Sequence, residues 1–359
     1  MATIYKASRQ WATRPSDERF TSLDDLVAHT RHIRNTSAQR VLKPTQIRAV
    51  AESDEALKLQ GPSGHSVDFT HWSFGQLCRT AGAPAAYLRD LPAPLAAECI
   101  NHGLAATDEA ELGILLRNQP APALGAVTGP SYGRIWNADV AKAIRDRFGN
   151  GLDGDFRIPG EFGKAVPVTK QNTTLYAGDR DMFVFLADEN NRIEVPNRRN
   201  GQAGSLARGF FVWNSEVGSA SVGIATFLFD YVCSNRIVWG ATEYKEVRLR
   251  HTSGAPSRWF DEVMPMVADY SKSSAKPVED RLRIAQATVL DDVSDFLGRR
   301  FTKAQAEAIL LAHQADEGRP IETVWDAITG ITAYARDIAF ADKRVEVERE
   351  AGKLFDLVA

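Results

Sequence analysis

The chain has 359 residues, is 44% hydrophobic and 25% charged, and carries a formal net charge of −3. That length supports more than one packed sub-structure, and that balance excludes both a disordered chain and a bulk attraction to polyanions or membranes. Charge is unevenly placed: from Ser257 onward 14 Lys/Arg face 19 Asp/Glu, which leaves the preceding residues slightly basic.

Met1–Pro15 carries Lys6, Arg9 and Arg14 without an apolar block, so no secretory signal is expected. Residues 1–20 are polar and are read as a flexible N-terminus. Ser22 with Asp25 predicts a helix start, running to about Arg34. Thr45–Glu52 and Ala56–Gln60 have strand character, and Gly61–Gly64 turns the chain into His65–Phe69. Thr70 caps a helix ending at Gly82, followed by helical segments at Pro84–Asp90 and Pro94–Ala105; together these form a helical insertion at 70–105. Small and apolar residues around Gly82 also suit a helix-turn-helix, but only Arg89 would seek DNA, so a helical hairpin packed on a sheet is the preferred reading.

Glu111–Arg117 and Ala123–Thr128 read as strands, and Asn137 as the cap of a helix to Phe148. Gly149–Gly163 is Gly/Asp-rich and predicts a loop or joint. Thr173–Gly178 and Met182–Ala187 predict a hairpin, and Asn190–Gly204 a polar, basic, turn-prone loop. Ser205–His251 is the most apolar and aromatic stretch and reads as three or four strands. From Ser221 to Cys233 both alternation sets are apolar, which places that strand at the centre of a sheet; Lys245–His251 alternates as a strand with one wet face. The rest is helical: Ser257–Ser271, Pro277–Leu297, Thr302–Glu317 and Ile321–Leu357.

The run Asn214, Ser215, Gly218, Ser219, Ser221, followed by Val232, Cys233, Asn235 and Ile237, resembles the phage/plasmid-like proteins of domain-of-unknown-function family 932. Phe74–Asn101 and Ala126–Ile144 agree with it in the same order. The resemblance implies no activity. It implies residence on phages, plasmids and integrated elements, where DNA replication, recombination and host defence are the usual business.

The strongest candidate site is the basic loop together with the aromatic strands beyond it. Arg192, Arg198, Arg199 and Arg208 fall within 17 residues, among Asn and Gly that leave the backbone accessible. Arginine forks match phosphate geometry, so this loop is read as a phosphate contact, although an ordinary solvated loop has the same composition. Phe183 and Phe185, Phe211 and Trp213, and Phe227, Phe229 and Tyr231 are each spaced by two, so each set faces one side of its strand. Exposed, they would stack unpaired bases; covered, they are core, which is the expected fate of most. Trp213 and Trp239, near strand ends, are expected to be partly exposed, and Arg248 and Arg250 complete the nucleic-acid-binding set.

Metal and catalytic patterns are weaker. Asp153, Asp155 and Glu161, or Asp179 and Asp181, could offer oxygen ligands, yet Asp beside Gly forms turns without any ion. The seven histidines show no zinc spacing, and no phosphate loop or dinucleotide fingerprint is present. Gly129-Pro-Ser131-Tyr-Gly133 matches the bare nucleophile-elbow pattern without the strand and helix that would make it one. No catalytic residue, metal or cofactor is therefore assigned. Three cysteines at unrelated spacings, Cys78, Cys99 and Cys233, suit reduced, buried thiols in a cytoplasm. No apolar run is long enough to cross a bilayer, the best being broken by Asp230, so no membrane partner is expected.

The expected fold is α+β: a mixed, mostly antiparallel sheet within residues 21–256, the helical insertion, and a C-terminal helical bundle over 257–359. The expected function is non-catalytic binding of nucleic acid, single-stranded DNA above all, in recombination, annealing or DNA protection. A contact with a host defence or replication protein through the acidic C-terminal part is the alternative, and a metal-dependent hydrolase the third. The apolar stripe Val324, Trp325, Ile328, Ile331, Tyr334 and Ile338 is expected to pack on the sheet or against a second copy.

Overall fold

In the computed structural model the described residues are 14–118, 121–159, 167–198, 201–230, 237–239, 247–336, 338 and 341–357. Strand β1 (Arg19–Phe20) and helix α1 (Leu23–Thr36) lead into β2 (Ser37–Leu42), β3 (Arg48–Ala51), β4 (Leu57–Gln60) and β5 (Ser66–Phe69). Helices α2 (His71–Thr80), α3 (Ala85–Arg89) and α4 (Ala93–Ala106) precede β6 (Leu112–Arg117), β7 (Ala123–Thr128) and α5 (Asn137–Phe148). Then come β8 (Phe156–Arg157), β9 (Leu175–Ala177), β10 (Met182–Asp188), β11 (Ile193–Arg198), β12 (Gln202–Asn214), β13 (Val222–Asp230), β14 (Ile237–Trp239) and β15 (Val247–Leu249). Helices α6 (Ala255–Arg258), α7 (Met264–Lys272), α8 (Lys276–Ala287), α9 (Val293–Gly298), α10 (Lys303–Glu317), α11 (Val324–Arg336) and α12 (Ala341–Asp356) complete an α+β fold.

The single sheet expected from the sequence is two sheets. The smaller runs β2-β6-β7-β5-β4-β3, antiparallel except for the β5–β7 pair. The larger runs β1-β9-β10-β12-β13-β14, with β8 on β10, β11 on β12 and β15 on β13. Strand β2 has no counterpart among the expected elements, because Ser37–Leu42 holds only scattered apolar residues; it is an edge strand whose middle faces solvent. Two expected helices are divided or bent: one at the Trp259–Val263 π-turn between α6 and α7, and one between α8 and α9; the stretch from Ile321, read with room for an interruption, gives α11 and α12.

The doubly apolar strand lies where its pattern places it. β13 is paired on one side by β12 and on the other by β14 and β15. One face of the larger sheet, with Val184, Leu186, Phe210, Val212 and Ile224, packs on α1, α5 and α7. The opposite face carries Phe183, Phe185, Phe211, Trp213 and Phe227, so these aromatics spaced by two share one side; the Phe229 side chain and Tyr231 lie outside the described residues. Their rings stack, with Phe185 and Phe227 centred 4.8 Å apart and Phe183 and Phe211 5.5 Å apart. Two glycines make room for this: a Cβ on Gly223 would lie 2.2 Å from the Trp213 ring, and one on Gly209 2.5 Å from that of Phe227. Beyond the sheet, Ile193, Val195, Leu206 and Leu228 join α8, α10, α11 and α12 in a second core.

Candidate nucleic-acid interface

Two arginines of the basic loop, Arg198 and Arg208, fold inward. Arg198 and Glu317 are each 1% exposed and pair at 2.7 Å, with the Arg198 guanidinium over Trp325. Arg208 is buried, donating to Asp188 at 2.9 Å and to the Ser273 carbonyl at 2.7 Å. Arg192 pairs with Glu189 across one turn. Arg199 and the Trp239 side chain lie outside the described residues. Trp213, expected to be partly exposed, is 2% exposed. The correction has a physical reason: β11 and β12 carry apolar residues under the C-terminal helices, which bring Glu317 to Arg198, while Asp188 at the end of β10 reaches Arg208 across the sheet. Arg248 and Arg250, by contrast, are exposed at and just past β15, with Arg248 5.5 Å above the Trp213 ring.

The hard-ligand candidates are also placed otherwise. Asp153 accepts from Asn150 and Asp155 from Asn190, while Asp181 pairs with Arg14. Among the described residues no three His, Cys, Asp or Glu side chains are grouped to hold a metal; Glu161 and Cys233 lie outside those residues. Cys78 is buried, its thiol pushed up to about 11 by desolvation, whereas Cys99 is exposed rather than buried. The helical hairpin packs on the smaller sheet, and Arg89 donates to the His71 carbonyl across Phe74.

Polar groups converge instead where the two sheets meet. The turn after β12, Asn214–Ser219, is held from every side. Gln76 and Trp72 of α2 donate to the Val217 carbonyl at 2.8 and 3.0 Å. Tyr132 donates to the Ser215 carbonyl at 2.9 Å, and Asn214 donates to Asn137 at 2.8 Å. Asn137 therefore opens α5 without capping it; Trp136 occupies that position. Glu216 is 1% exposed and accepts from Arg117 at 3.1 Å and from the Asn137 amide at 2.7 Å, while its carbonyl accepts from Arg134. Burial pushes the Glu216 carboxyl up, and Arg117, the Asn137 amide and Arg134 pull it back. Even ionised, this one carboxylate cannot balance both Arg117, which it pairs with, and the neighbouring Arg134, which bonds its backbone carbonyl.

That charge is interleaved with rings. Arg34, paired with Asp139, lies over Trp136 at 5.6 Å, and Arg134 lies 5.8 Å from the same ring and 5.2 Å from Tyr132. Tyr132 stacks on His251 at 4.9 Å, and Arg180 covers Trp72 at 5.4 Å. Burial lowers the His251 pKa and leaves its ring neutral near pH 7, with Nδ1 against the Gly133 carbonyl at 3.1 Å. Trp72, Tyr132, Trp136 and Arg180 are half-buried, so their edges reach solvent; Arg34 and Arg40 are exposed, and Arg250 adjoins His251. Of these residues, sequence patterning singles out only Arg250 as a binding side chain. The signal for the others is the spacing by two of Tyr132, Arg134 and Trp136, within a block that also carries the family resemblance.

An α+β protein with two sheets clasped by a buried charged turn, and a cation–aromatic seam above it, is the class these observations define. The chain belongs to the family described as Domain of unknown function (DUF932), whose model matches residues 168–351 and so contains the clasping turn. No curated protein and no solved structure matches the chain. No helix among the described residues is long and apolar enough to cross a membrane.

Proposed function

We propose that the chain binds nucleic acid, single strands in preference to duplex, along the seam between its two sheets. The interleaving of Arg34, Trp136, Arg134, Tyr132 and His251 supports this reading, because a ladder of cations and ring edges offers phosphate contacts beside stacking surfaces. Arg248 and Arg250 extend the same edge and are the members of the sequence-predicted set that are described and exposed. Use of such binding in annealing, recombination or protection of a mobile element's DNA accords with the setting that the family resemblance implies.

The test is a gel-shift series with single- and double-stranded DNA at two salt concentrations. The single strand is expected to bind more tightly, with affinity falling steeply as salt rises. Replacing Arg248 and Arg250 with Gln removes two phosphate contacts, so the log–log salt slope is expected to shrink by roughly 1.4 at about 0.7 per contact. An unchanged slope removes β15 from the interface, and equal binding of duplex and single strand removes the stacking role.

A further inference from the structure

A pocket of about 130 Å³ opens in the seam between the β2 edge and the turn after β7, lined by Gln39, Arg40, Thr128, Gly129, Tyr132 and Arg134 among others. We propose that this pocket binds one phosphoryl group. The proposal rests on the nucleic-acid reading only for what carries that group.

Size comes first. A space of about 130 Å³ admits several waters and so has room for a tetrahedron of four oxygens. Charge points the same way: two arginines line the pocket and no carboxylate does. Arg134 is 9% exposed and fixed in place, with Nε on Gln39 at 2.9 Å, Nη1 on the Glu216 carbonyl, and rings of Tyr132 and Trp136 beside it. Among the described residues its Nη2 has no hydrogen-bond partner. A guanidinium held this way meets an anion with little further loss of freedom. Arg40 stands at the solvent side, its Nη1 on the Gln39 carbonyl at 2.9 Å.

Glycine keeps the pocket open. A Cβ on Gly113 would lie 2.8 Å from the Thr128 hydroxyl and 2.9 Å from the Gly129 carbonyl, pressing on the wall. At Gly129 a Cβ would meet nothing within 4 Å, so the turn presents bare backbone there.

The full chain is titrated calorimetrically with inorganic phosphate, and separately with oligothymidylates of one length bearing a 5′-phosphate or a 5′-hydroxyl. Arg40→Gln is the test variant because its side chain is exposed and bonds only its own strand; Lys303→Gln on α10 is the control, and thermal unfolding checks that both fold. Saturable phosphate binding is expected, about tenfold weaker in Arg40→Gln, as loss of one charge-assisted hydrogen bond implies, and unchanged in Lys303→Gln. Tighter binding of the 5′-phosphorylated strand identifies a strand end as the source of the group. Equal binding of both strands, weakened in both by Arg40→Gln, identifies internal phosphates. Phosphate binding without binding of either strand keeps the pocket, for a small phosphate compound, and overturns the nucleic-acid reading. No saturable binding of inorganic phosphate, or the same binding in Arg40→Gln, overturns the pocket.

Discussion

Arg198 shows how far a side chain's role depends on what arrives from elsewhere. In sequence it is one of several arginines in a polar loop; in the fold it is buried against Glu317 of α10. Removing one partner of such a pair leaves the other charge without compensation, so Arg198→Ala is expected to cost about 3–5 kcal/mol of stability. Replacing both residues by apolar ones of similar volume is expected to cost far less. Urea unfolding of the single and double variants checks this; equal losses in both would show the charges to be uncoupled.

Asp326 offers a second test at this scale. Desolvation would raise its carboxyl pKa, but His313 at 3.7 Å and hydrogen bonds from Arg319 at 2.5 Å and from the Glu322 amide at 3.1 Å outweigh it and hold it well below the usual range. A depressed folded-state pKa contributes stability above the unfolded value of about 3.9, and that contribution is lost as pH falls below it. Stability is therefore expected to drop on acidification from about pH 5 downward, with a flatter acid limb in Asp326→Asn. Urea midpoints measured against pH decide it; an Asp326→Asn limb as steep as that of the parent chain would show that other carboxylates set it.

At the scale of elements, periodicity is most informative where burial is one-sided or complete. The two apolar faces of β13 and the stripe on α11 follow from composition alone, because a strand or helix surface that is apolar must be covered. Trp325 of that stripe is 2% exposed and meets Phe355 of α12 at 5.8 Å. Trp325→Ala is accordingly expected to cost about 3–5 kcal/mol, read as a lowered urea midpoint. An unmoved midpoint would mean that the bundle closes over the gap. Strand β2 is illegible for the opposite reason. Its pairing with β6 is made by backbone groups, and its side chains, Arg40 among them, carry no pattern that burial would impose.

For the whole molecule the decisive contact is Glu216, which ties Arg117 of β6, Arg134 and the start of α5 to the end of β12. Glu216→Ala would leave the buried Arg117 guanidinium without its carboxylate, while Arg134 keeps the backbone carbonyl, and about 3–5 kcal/mol is the expected loss. Because the clasp joins the two sheets, tryptophan fluorescence and far-ultraviolet dichroism are expected to stop reporting a single transition in this variant. Coincident transitions would show that the sheets stay coupled without it.

The amino-acid order by itself determined the α+β class, the central strand, the aromatic face of the larger sheet and the apolar stripe of the C-terminal helices. Each is a local periodicity, and water enforces it wherever the element ends up. Only the tertiary structure decided that there are two sheets, that Arg198 and Arg208 are neutralised by Glu317 and Asp188, and that Arg134 stands between two rings at an open seam. The first two depend on pairings that local periodicity does not encode, and the third on how the segment carrying Tyr132, Arg134 and Trp136 is set against the Ser215–Glu216 turn. An arginine's charge is the same in either place, and its partner, not its neighbours in sequence, sets whether it holds the fold or faces a ligand.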